Sequence, residues 1–261
     1  MFKRFAAGVR RHDWFTVSIE VLVVMLGLLL AFQLDRWREG LAEGRQERTY
    51  INRLIVDVES DIPDIEYAIA LQTLRLELVD LLMQVVLDPT AASKEPIVFL
   101  GAVNQAAYTF TPVLTSHTFE NLRSTGDLRL ILDESVKDVM FEYYGFDESQ
   151  RQFRPLQLDT EFRHFELAAG VLSHEQEVFI QDDWRMFSPD NFAAAKAGQH
   201  ENRNVLAAAM RLQARPEFIA WLPYVRDMQL EQIDVHQMRL DRARGALETL
   251  NDYAQKIHAT D

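Results

Sequence analysis

Apolar positions along the chain follow two patterns, one unbroken run and then a series of stripes. From Trp14 to Leu34 there are 21 residues with a single ionisable side chain, Glu20. As a helix rising about 1.5 Å per residue, the run would be roughly 31 Å long, matching a bilayer core of about 30 Å. Trp14 and Trp37 bracket it, where indole rings favour the membrane–water interface. The run exceeds the roughly 7–15 residues usual in a cleaved signal peptide. The nearest small-x-small site, Gly40-Leu41-Ala42, lies beyond several charged residues. The pattern therefore predicts a retained transmembrane helix over 14–37, a basic flank over 1–13 and a separate domain over 38–261.

Beyond Trp37 the period changes. Ile51, Leu54, Ile55, Val58, Ile62, Ile65 and Ile69 recur at helical rather than strand spacing. Gly40 and Gly44 predict a weaker stretch, and Pro63 predicts a kink or a restart. The segment LDPTAASKEP, 87–96, has loop composition. Ser116 or Thr115 is placed to cap a short helix ending at Gly126, and Asp133 a longer one. Ser173 with Gln176 reads as a capping box, and Ser188-Pro189 as a helix start. Ala243, Ala246, Leu247, Leu250, Tyr253, Ala254 and Ile257 form one face of a long final helix. The expected fold is all-α: a transmembrane helix, then an extramembrane bundle whose long helices, from its two ends, lie antiparallel.

Charge adds an orientation. Lys3, Arg4, Arg10 and Arg11 lie before the apolar run, so the positive-inside rule predicts a cytoplasmic N-terminus and a periplasmic body in a bacterial inner membrane. Of 27 basic and 40 acidic residues, five and three lie at or before Trp37, leaving the remainder at −15. So acidic a body disfavours nucleic acid as a partner. With no cysteine, disulfides, thiolate metal sites and a cysteine nucleophile are excluded.

Inside the apolar run, Thr16, Glu20, Val24, Gly27 and Ala31 share one face, while bulky leucines and valines occupy the rest. Small residues let another membrane helix approach, and a carboxyl there can hydrogen-bond across the contact. The alternative is that Glu20 snorkels to the headgroups or is protonated.

Elsewhere the candidate chemistry is thin. Glu161 and His164 form one E-x-x-H pair, where a di-iron bundle needs two pairs and two further glutamates. Surface exposure is the expected explanation, as it is for His174 and His236. Phosphate-binding loops, dinucleotide fingerprints, zinc-protease motifs and nucleophile elbows are all missing from the sequence. Neither a catalytic residue nor a bound cofactor or metal is expected. Trp184, Phe187 and Phe192 lie near acidic residues; they are expected in the core, with a partner-contact surface as the sharper reading.

Several of these residues carry a resemblance. A basic start, Glu20, Gly27 and Trp37 are followed by Phe119, Glu120, Leu122, Thr125, Gly126, Leu128 and the pair Tyr143-Tyr144. With ARPEFIAWL near the C-terminus, they resemble an uncharacterised bacterial family of single-pass membrane proteins over nearly the whole chain, apart from a stretch at about 155–200. The resemblance implies an anchor and a helical exported domain, and no reaction. Two functional expectations follow. One is a non-catalytic accessory subunit of a membrane complex, respiratory or photosynthetic in the most specific version, in contact with lipid and other transmembrane helices. The other is a membrane-tethered ligand-binding or sensory domain.

Overall fold

The computed structural model describes residues 14–182, 184–197 and 204–259; the basic flank and the side chains of Trp14, Thr16 and Trp184 lie outside that description. Helices dominate, and no strand occurs among the described residues. They are α1 (Trp14–Leu87), α2 (Pro96–Gln105), α3 (His117–Thr125), α4 (Glu134–Arg151), α5 (Arg154–Ala168), α6 (His174–Asp182), α7 (Pro189–Ala197), α8 (Val205–Gln213) and α9 (Pro216–His258). Two compact units are present, Met1–Ile51 and Asn52–Asp261.

In the first unit, the described chain is α1 alone, and it runs through Gly40 and Gly44 without the expected weakening. Large apolar side chains from Ile19 to Leu34 are 44–69% exposed, and Trp37 is 62% exposed. This stretch is long and apolar enough to cross a membrane.

The second unit has a core organised on two helical seams. In α1 one buried stripe runs through Leu54, Val58, Asp61, Ile65, Ala68, Gln72 and Arg75, spaced alternately by four and three. In α9 the same alternation runs through Phe218, Leu222, Val225, Gln229, Gln232, His236, Arg239, Ala243, Ala246 and Leu250. Alternating steps keep one stripe facing a neighbour along several turns. Arg244 pairs with Glu66 at 2.8 Å and Arg226 with Asp80 at 2.8 Å, so the two helices meet in opposite directions. Helix α9 also packs on α4 and α5. Pro63 neither ends nor restarts α1; it sits on an exposed face, where water can take the carbonyl its ring leaves free.

The other end of this unit is built around α2. Every residue from Ile97 to Val103 is buried, as befits a helix apolar on all sides. Gly101 is essential to its packing, because a Cβ there would overlap the ring of Phe187. Helices α5, α6, α7 and α8 contact α2. The 87–96 stretch is not a plain loop. Asp88 accepts from the Thr90 N–H at 2.9 Å and caps a tight helical turn over Pro89–Ser93, against which α8 packs.

The local punctuation follows its chemistry. Gly126 ends α3 in the left-handed conformation, at φ 79°. Asp133 accepts from the Ser135 N–H and caps α4. Ser173 and Gln176 exchange side-chain bonds, with Ser173 N–H donating to Gln176 Oε1 at 2.8 Å.

Candidate functional site

Between α2 and α3 the chain abandons helical structure over 106–116, and much of this segment is buried. A buried backbone outside helix or sheet must find its hydrogen bonds elsewhere. Here side chains of the surrounding helices supply them. The Thr109 N–H donates to Glu161 at 3.0 Å, and the Thr115 N–H donates to Asp61 at 2.8 Å. Gln229 donates to the carbonyls of Ala106 and Tyr108, at 2.9 and 3.2 Å. His236 and Gln72 approach the Phe110 carbonyl at 2.9 and 3.4 Å, and the Tyr144 hydroxyl donates to the Thr115 carbonyl at 2.8 Å. Asp61 and Gln72 on one seam and Gln229 and His236 on the other thus form the sleeve through which this segment is threaded.

A second layer holds the sleeve in place. Arg239 meets Asp147 at 3.0 Å with both side chains almost fully buried, and Arg151 reaches the same carboxylate from the surface. Arg239 also approaches His236 Nδ1 at 2.6 Å. A guanidinium only donates, so Nδ1 is the acceptor and Nε2 carries the hydrogen given to Phe110. Burial, then the Arg239 charge, push His236 down to about 4. His164 contacts the Val103 carbonyl through Nε2 at 3.1 Å and packs edge-on against Phe218; burial lowers it to about 4 as well. Asp61 moves upward because burial outweighs the bonds from Thr115 and Tyr143.

These contacts overturn the expected exposure of Glu161, His164 and His236, which are 7%, 0% and 1% exposed. Glu161 accepts from Thr109, and its carboxylate is 3.7 Å from Arg154; His164 addresses α2. The E-x-x-H spacing thus serves two structural contacts. Among the described residues, no three His, Asp or Glu are grouped to hold an ion. His174 is exposed, as expected. Phe187 and Phe192 are 1% and 7% exposed, so both rings belong to the core rather than to a free contact surface. On the apolar run, Glu20, Val24, Gly27 and Ala31 are exposed, and a Cβ on Gly27 would meet nothing within 4 Å.

Beside the threaded segment lies a cavity of about 580 Å³. Its wall includes Arg75, Asn104, Gln105, Tyr108, Phe165 and Gln181, and none of the ten described lining residues is acidic. Tyr108 and Phe165 meet edge-to-face with centroids 5.1 Å apart. Arg75 is 7% exposed, and its Nε and Nη1 have no hydrogen-bond partner among the described residues. Sequence reading missed this residue, yet a signal was there: arginine at a seam position where the periodicity calls for an apolar side chain.

Compared with known proteins, residues 20–145 match a family of unknown function (DUF6090). The match begins at Glu20 and ends just past Tyr143-Tyr144, so the resemblance seen in ARPEFIAWL lies outside it. No curated protein and no solved structure matches the chain.

Proposed function

We propose that the chain is a non-catalytic, single-pass protein of a bacterial inner membrane, an accessory subunit held by its apolar helix and docked on other membrane helices through the Glu20, Gly27 and Ala31 face. The observation carrying this reading is the uncovered stretch from Ile19 to Leu34, which water would penalise and lipid would accommodate. The basic residues before it favour a cytoplasmic N-terminus and a periplasmic body. An acid within such a span favours contact with protein over lipid. Extraction of the full chain from native membranes in mild detergent tests the idea. A defined co-purifying partner, lost in Glu20→Leu, is expected. A lone monomer, with nothing changed by the substitution, refutes it.

The cavity beside Arg75 favours a second, compatible reading, a membrane-tethered ligand-binding domain. Its volume falls within the roughly 300–1,000 Å³ typical of small-molecule sites, and a few polar groups converge on it among aromatic walls.

A further inference from the structure

We infer that the cavity bounded by Arg75, Tyr108 and Phe165 is a binding site for a small organic monocarboxylate. The inference rests on the ligand-binding reading and adds the chemical class of the ligand. Its starting point is a charge out of balance. Arg75 sits on the α1 seam with two guanidinium nitrogens unpartnered among the described residues. Burial lowers its pKa only to about 10, so it stays cationic at neutral pH. Removing an arginine charge from water without a counter-charge is strongly unfavourable, and native folds retain such a group where something else compensates it.

Among the described residues, no acid in the wall does so. Glu161, near the wall through Thr109, is already held by the Thr109 N–H and hydroxyl and lies 3.7 Å from Arg154. The remaining polar groups of the wall, Asn104, Gln105, Thr109, Gln181 and the Tyr108 hydroxyl, are neutral. One cation and several neutral donors match one negative charge, and a carboxylate presents a guanidinium with two oxygens spaced for paired N–H···O bonds. Leu71, Phe165 and Ile180 supply apolar wall. They suit a carbon skeleton and offer nothing to the oxygens of a phosphate dianion. The ligand is therefore an acid with an apolar body, its head at Arg75 and its body against the Tyr108–Phe165 pair.

The test uses the full chain in detergent, with calorimetric titration of paired probes: benzoate and benzamide, indole-3-acetate and its amide, hexanoate and hexanamide, with inorganic phosphate alongside. At least one acid is expected to bind ten times or more tighter than its amide. Arg75→Met is expected to abolish that preference. In the absence of ligand it should raise the melting temperature, since it removes an uncompensated charge. If acids and amides bind equally and both survive Arg75→Met, the cavity still binds ligands but the carboxylate assignment is wrong. If phosphate binds in preference to every acid, the ligand class is wrong. If nothing binds, both the assignment and the ligand-binding reading fall. An Arg75→Met protein that melts lower than the parent would make the arginine a structural residue and overturn the inference too.

Discussion

Acid should unfold this protein through two histidines. His164 and His236 are 0% and 1% exposed, and each is held neutral, at about 4 against 6.5 in the unfolded chain. Between those values the unfolded state binds more protons, so stability falls as pH drops from about 6.5 toward 4 and then levels off. By linkage, each histidine removes about 2 kcal/mol by pH 5 and about 3 kcal/mol once both states are fully titrated. Together they remove about 4 kcal/mol at pH 5, a large part of a typical 5–15 kcal/mol. Asp61 acts in the opposite sense. Its raised folded value means the native state takes up a proton first, which offsets part of the loss as pH approaches the unfolded value of 3.8. Urea titrations of the full chain in detergent, followed by circular dichroism at pH 7.5, 6, 5 and 4, measure the sum. His164→Gln and His236→Gln keep an N–H donor without a titrating ring, so each should flatten about half of the slope. Unfolding free energies at pH 5 and 7.5 that agree within about 1 kcal/mol would refute the buried, neutral assignment.

Other substitutions probe the packing. Gly101→Ala should destabilise by about 1–3 kcal/mol or more, because the new methyl overlaps the Phe187 ring; denaturant melts read the loss. Asp147→Ala leaves Arg239 buried without its counter-ion and should cost about 3–5 kcal/mol, whereas the exposed pair of Arg244 and Glu66 should be worth less than about 1 kcal/mol in a double-mutant cycle. Gly126→Ala forces a side chain into the left-handed region at the end of α3 and should lower stability by about 1 kcal/mol in the same assay.

How much of this was legible beforehand depended on range. Helix caps at Asp133, Ser173 and Gly126 were readable because each involves residues two or three apart, or a single backbone angle. The threaded segment was not, because its partners are remote. Thr109 finds Glu161 52 residues away, and Phe110 finds His236 126 residues away. A polar residue on an amphipathic helix looks like surface until the neighbour that buries it is known. Glu161, His164 and His236 were misread for that reason. Polar interruptions at Asp61, Gln72 and Arg75 could have warned that the α1 stripe surrounds something polar.

The sequence by itself determined the helical character of the chain, the apolar run long enough for a bilayer, the acidic balance of the body and most helix ends. These follow from periodicity and from side chains acting on adjacent backbone. Only the tertiary structure decided that a non-helical segment passes through the second unit, that two histidines stay neutral inside it, and that Arg75 faces a cavity with no acid among its described lining residues. Each of those depends on which distant groups share a small volume away from water, where a missing partner is costly, and no local pattern encodes that.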